Sequence, residues 1–178
     1  MPSSEKLIAA FNEQIGRELG ASHLYVSIAT HFDAEALPRL SAFFYRQGDE
    51  EREHAMRFVK FIMDVDGRVR IPAVSAPQHD FAGGEAAVAK ALESEQAVSR
   101  AIFDLARLAD DETDFFARRF LDWFIDEQRE EEATMSALLQ VVERAKGPGG
   151  LLQVEEYLSH RGAGPIESPA GPGGAEGT

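Results

Sequence analysis

Gly48-Asp49-Glu50-Glu51-Arg52-Glu53-His54-Ala55-Met56 sets Glu51 and His54 three residues apart. On a helix that spacing puts both side chains on one face. Apolar residues fall in phase with them: Phe44 before the pair, then Phe58, Phe61 or Ile62, and Val65 after it. A carboxylate and an imidazole therefore share the stripe that faces a core. Ionised groups are almost never buried without a partner. The core must hold something that compensates this pair.

A second run shows what. Asp126-Glu127-Gln128-Arg129-Glu130-Glu131 repeats Asp49 to His54 with four identities in six positions. The same offset of 77 residues carries Glu18 to Glu95, Phe43 to Phe120, Phe58 to Met135 and Val65 to Val142. The chain reads as two similar helical hairpins. Each places one Glu midway along its first helix and a polar pair midway along its second. The copies differ at that pair, where Glu51 answers to Gln128 and His54 to Glu131.

The chain of 178 residues is long enough for one domain with a sizeable core. Without cysteine, neither disulfides nor thiolate zinc sites are available. The N-terminus lacks a basic region leading into an apolar run, and no stretch approaches a membrane span, so a soluble cytoplasmic protein is expected. A net charge of −13 argues against nucleic acid or an anionic membrane as partner and favours cations.

The pattern predicts an all-α fold. The first helix, capped by Ser3 or Ser4, runs to about Phe32 and carries Glu18 and Tyr25 on its apolar stripe. Gly16 and Gly20 weaken it and suggest close packing. The second helix runs from about Pro38 to Asp66 and is ended by Gly67. Residues 68–84 form a connection of some sixteen residues, which spans roughly 50 Å when extended. A helix of nearly thirty residues is about 40 Å long. The connection can therefore cross the whole bundle and make the second and third helices parallel. The third helix spans about Glu85–Asp110 with Glu95 on its stripe. The fourth spans about Asp114–Lys146 with Phe116, Phe120, Phe124, Glu127, Glu131, Leu138 and Val142 inside. A short amphipathic fifth helix follows near Leu151–His160. The domain is read as residues 1–160, and residues 161–178, rich in Gly and Pro, as a disordered tail. Met56, Met63 and Trp123 read as packing residues, and His23, His31, His79 and His160 as surface or interface residues.

In such a bundle Glu18, Glu51, Glu95, Glu127 and Glu131 share one level with His54. Close carboxylates stay ionised together only if protons or cations are shared among them. Oxygen ligands with one imidazole suit iron or manganese. Two blander readings compete: solvated glutamates on long helices, and a buried proton-sharing network without metal. Glu50, Glu53 and Glu130 flank the stripe, where Glu50, Glu127 and Glu130 either are solvated or line a neighbouring cation site. Tyr25 either hydrogen-bonds a ligand carboxylate or packs.

From about Ser4 to His160 the chain resembles the bacterial non-haem ferritins, most of all the actinobacterial type. The resemblance rests on Arg17-Glu18-Leu19 with Tyr25, Glu50-Glu51-Arg52-Glu53-His54, Ser94-Glu95-Gln96 and Trp123 through Glu131. It implies a ferritin-like four-helix bundle with one long crossover between helices two and three, and a short fifth helix. It also implies a ferroxidase centre. One iron would be held by Glu18, Glu51 and His54, with Glu51 bridging to a second held by Glu95 and Glu131, and with Gln128 handling oxygen. A third iron site would use Glu50, Glu127 and Glu130, with Glu131 shared. Ferrous iron would be oxidised by oxygen or peroxide and stored as ferric mineral in a shell of twenty-four subunits. Bacterioferritins carry Met after the bridging Glu as haem ligand and a second Glu-x-x-His. Here Arg52 and Gln128-x-x-Glu131 stand in those places, so haem is not expected. Dps-type mini-ferritins lack the fifth helix. A peroxide-detoxifying di-iron oxidoreductase that stores nothing is the alternative function, and a structural bundle with a dead site is a third.

Overall fold

The computed structural model describes residues 3–147 and 149–161. The expected tail beyond Arg161 lies outside them. Among the described residues five helices follow in order: α1 (Glu5–Ala34), α2 (Pro38–Asp64), α3 (Gly84–Asp111), α4 (Phe115–Arg144) and α5 (Gly150–Arg161). The described residues contain no strand. α1 packs mainly on α2 and α3 mainly on α4, so the two hairpins read from the repeat are the units of the bundle. None of the described helices is long and apolar enough to cross a membrane.

Local chemistry sets the helix ends. Ser4 caps α1 by accepting from Leu7 N at 3.0 Å, and Asp114 caps α4 by accepting from Ala117 N at 3.0 Å. α2 has Pro38 in its first turn and no side-chain cap of its own. Its free N–H groups are taken by α5: Glu155 accepts from Arg39 N at 2.9 Å and from Leu40 N at 2.7 Å. A carboxylate at a helix N-terminus also suits the helix dipole. With Val154 buried beside it, α5 is tied to the bundle of its own chain.

α2 stops two residues earlier than the pattern suggested. Asp66, with φ 58°, takes the left-handed turn in place of Gly67. Gly67 N still closes the turn on Ile62 O at 2.8 Å. Gly67 is required for space, since a Cβ there would lie 2.7 Å from Ile8 Cδ1 and 2.9 Å from Ile62 O.

The crossover runs along α1 from one end of the bundle towards the other. Asn12 accepts from Arg70 N at 2.6 Å and donates to Arg68 O at 3.0 Å. Pro72 then lies on Gly16 and Val74 on Gly20. Ser27 donates to Gln78 O at 2.7 Å, and Phe81 meets His31. α3 therefore starts near the C-terminal end of α1 and runs parallel to α2. A Cβ on Gly16 would sit 2.5 Å from Pro72 Cγ, whereas one on Gly20 would meet Val74 at an ordinary 3.9 Å. Gly16→Ala is thus expected to destabilise the protein by about 1–3 kcal/mol through overpacking. Gly20→Ala is expected to stabilise it by up to ~1 kcal/mol through helix propensity. Denaturant unfolding of the two variants, which should move in opposite directions, checks this.

The core is in two parts. Phe11, Ile15, Phe58, Ile62, Ile102, Leu121 and Phe124 belong to one cluster; Tyr25, Phe32, Leu40, Phe44, Val88 and Leu138 belong to the other. Glu18, Glu51, Glu95 and Gln128 are buried at the level between them. Phe116, expected inside, is 71% exposed; Ala117 and Leu121 occupy the buried face of the first turns of α4. Met56 and Met63, expected to pack, are exposed as well.

Candidate metal centre

Each helix of the bundle brings one or two polar groups to that middle level. α1 brings Glu18, α2 Glu51 and His54, α3 Glu95, and α4 Gln128 and Glu131. One ligand atom from each of Glu18, Glu51 and His54 lies within 4.8 Å of the others. Among the described residues this is the group close enough to share one ion; Glu95 and Glu131 stand outside it. Glu18 Oε2, Glu51 Oε2 and His54 Nδ1 are buried without a hydrogen-bond partner. Glu51 Oε2 and His54 Nδ1 are 3.4 Å apart. Buried polar atoms are rarely left unmatched, and an unmatched one costs about 1–3 kcal/mol. A buried group of two carboxylates and an imidazole carrying such atoms fits a cation.

The remaining oxygens are held in place. Gln14, fully buried one turn before Glu18, donates to Glu18 Oε1 at 2.9 Å. Arg17 donates to the Gln14 amide oxygen at 3.3 Å. Glu95 accepts from the Tyr25 hydroxyl and from Gln128 Nε2, the latter at 3.0 Å. Gln128 Nε2 also lies 3.3 Å from Ser99 Oγ, and Gln128 Oε1 has no partner. Tyr25 thus bonds a carboxylate as well as packing. Gln14 and Ser99 carry no signal as isolated residues. What marks them is a polar side chain one turn from a stripe Glu.

Burial dominates the electrostatics. It raises Glu18 from 4.5 to about 7, helped by the charge of Glu95 and opposed by the Gln14 hydrogen bond. Burial and the neighbouring charges of Glu95 and Glu18 push Glu51 well above the usual range, and burial raises Glu95 too. Glu131 rises to about 8 through burial and the charge of Glu95. Burial, with a smaller push from Arg57, lowers His54 from 6.5 to about 4. At neutral pH the imidazole is therefore neutral and free to ligate, while the carboxyls hold protons that a cation would displace. Burial and the nearby carboxylates keep Tyr25 protonated as a donor.

His54 and Glu131 also face a cleft of about 300 Å³ between α2 and α4. Glu50, Glu53, Glu127 and Glu130 line it, as do Gln47, Arg57 and Trp123. The three acidic residues read as an outer group, Glu50, Glu127 and Glu130, thus share one opening with Glu131, but their oxygens do not converge as Glu18, Glu51 and His54 do. Glu127, expected inside α4, lies at the edge of this cleft, and Gln128 takes the core position. Burial raises both Glu50 and Glu127. The Arg57 guanidinium lies 3.9 Å from the centre of a Trp123 ring, and Trp123 meets His54 edge-on at 5.5 Å.

A four-helix bundle with a crossover, a fifth helix and a carboxylate–imidazole group in its core defines a helical bundle with a candidate metal site. Residues 8–145 match the family model for the ferritin-like domain. The chain is 40% identical over 154 residues to ferritin BfrB of Mycobacterium tuberculosis, covering 86% of this chain and 84% of that protein. It is 33% identical over 153 residues to the bacterial non-heme ferritin of Staphylococcus aureus, covering 86% and 92%. The fold matches that of an open-pore ferritin from Archaeoglobus fulgidus with a TM-score of 0.85 at 34% identity, covering 88% of this chain and 97% of that one. The chain belongs to the ferritin family.

Proposed function

We propose that this protein is an iron-storage ferritin with its own ferroxidase centre. The observation that carries the reading is the convergence of one ligand atom each from the buried side chains of Glu18, Glu51 and His54. Ferrous iron is the substrate. One ion is taken by Glu18, Glu51 and His54; a second is taken by Glu51, Glu95 and Glu131. Each ferrous ion gives up one electron, so a pair reduces oxygen to the level of peroxide, or peroxide to water. Carboxyls that held protons before the ions arrived release them on binding. Tyr25 and Gln128 orient Glu95, and the Gln128 amide faces the oxidant. Glu50, Glu127 and Glu130, with Glu131, hold a third ion in the cleft. No haem takes part.

The ferric product is stored in a shell of twenty-four copies in the cytoplasm, with α5 at the four-fold axes. α5 fixed over the N-terminus of α2 supports this, because it gives each subunit a rigid end with which to meet its neighbours. The alternative, a di-iron oxidoreductase that consumes peroxide and stores nothing, shares the centre but needs no shell.

Aerobic loading with ferrous salt followed by size exclusion separates the two. Storage is expected to give iron co-eluting with protein at the mass of a large shell. Elution as a dimer, with the iron lost on the column, would favour detoxification.

A further inference from the structure

We propose that Gln14 is the positioning residue of the Glu18 ligand, and that Arg17 fixes which end of the Gln14 amide faces it. This rests on the reading of Glu18, Glu51 and His54 as a cation site. Gln14 is fully buried one turn before Glu18 on α1. A buried amide is costly unless it is hydrogen-bonded, and an apolar side chain of the same size would fill the space without that cost. Gln14 Nε2 donates to Glu18 Oε1 at 2.9 Å. That bond occupies one oxygen of the carboxylate and leaves Oε2 as the one without a partner. The two oxygens of a free carboxylate are equivalent; those of Glu18 are not.

The direction of the amide decides whether the hold survives loading. Once a cation has displaced the Glu18 proton, a reversed amide would set its oxygen against a carboxylate oxygen and lose the bond. Arg17 carries only donors, so its contact with Gln14 at 3.3 Å is satisfied by the amide oxygen, in that one orientation. Glu13 lies 3.9 Å from Arg17 on the solvent side. Glu13, Gln14, Arg17 and Glu18 stand three and four apart, where side chains of one helix meet. The brace is therefore built within α1 alone. The repeat shows that it serves Glu18 in particular. At the offset of 77, Gln14 answers to Ala91 and Arg17 to Ser94. Glu95 is held instead across the bundle, from α1 by Tyr25 and from α4 by Gln128. The amide stands in the hairpin that also supplies His54.

The test is titration of metal-free assembled protein with Co²⁺, followed by calorimetry and by the visible spectrum of the bound ion. Gln14→Met keeps the size of the side chain without its amide. It is made in the wild-type chain and again in a Glu18→Ala background, where Glu51 and His54 remain to hold the ion. In the wild-type chain it is expected to weaken the tightest Co²⁺ about 10-fold and to change its spectrum. In the Glu18→Ala background it is expected to change nothing further, because it acts through Glu18. Arg17→Met is expected to weaken the same ion, and Arg17→Lys, which keeps a donor, to restore it. Wild-type affinity in Gln14→Met would overturn the assignment. Equal losses in both backgrounds would also overturn it and leave Gln14 as packing for the whole centre. Wild-type affinity in Arg17→Met would overturn the part given to Arg17. A tightest site that Glu18→Ala and His54→Ala both leave untouched would instead overturn the reading of the centre, and this assignment with it.

Discussion

Glu51→Gln is expected to abolish the fast phase of ferrous oxidation in air while leaving the metal-free fold intact. In the proposed centre Glu51 is the carboxylate shared by both inner ions. Its buried Oε2 faces His54, and the burial and neighbouring charges that raise its pKa come from Glu95 as well as Glu18. Loss of a side chain that merely supports a ligand costs roughly 10–100-fold in metal affinity or activity. Loss of a shared ligand should cost more. The amide keeps the volume of the acid, so no cavity opens. Without metal the wild-type carboxyl is itself largely protonated, so the amide resembles it in charge. Stopped-flow absorbance of metal-free protein mixed with ferrous iron, beside a thermal melt of the same samples, checks both halves. Equal oxidation rates in wild type and variant would move the oxidation away from this centre.

The metal-free protein is expected to lose stability between pH 6.5 and 8 and to regain it when a divalent cation is added. Glu18 titrates at about 7 and Glu131 at about 8 in the folded chain, against 4.5 when unfolded. Between those values the native state binds more protons than the unfolded one. The stability these carboxyls contribute is full below 4.5 and is lost as pH rises through 7 and 8. His54 acts in the opposite sense between about 4 and 6.5, because its folded-state pKa is depressed. That offsets about one of the two carboxyls below 6.5, so the fall is partly masked there and unopposed between 6.5 and 8. It should amount to something on the order of 2 kcal/mol, most of it from Glu131. Cation binding displaces those protons, so the stabilisation by Zn²⁺ should grow with pH. Melts at fixed protein concentration, with and without Zn²⁺, test this. A metal-free melting temperature that does not fall, or a Zn²⁺ effect that shrinks as pH rises, would contradict it.

The centre was legible because helical period and the repeat act together. Glu18, Glu51 and Glu95 stand out as acids in phase with Phe, Leu and Val, and a chain rarely spends three such positions on charge. The crossover was legible from length alone, since a connection able to span a bundle leaves the following helix little choice of direction. Phe116 was misplaced because an aromatic side chain looks more like core than the alanine beside it. The phase of α4 is set further along by Leu121, Phe124 and Gln128, and that phase turns Phe116 outward. Glu127 was misplaced for the same reason, its neighbour Gln128 being the residue in phase. Gln14 was not legible. A glutamine one turn from a glutamate is ordinary on any helix surface, and its role appears only once neighbouring helices bury both.

The two apolar clusters with polar groups between them give the bundle an unusual mechanical character. Each end is a block of interlocked rings, while the waist is filled by side chains that water or an ion can solvate. Parting the helices at the waist exposes far less hydrocarbon than parting them at either end, so local opening is cheapest there. An ion bound at the waist would then sit in the part of the bundle that opens most cheaply, between two ends that stay shut.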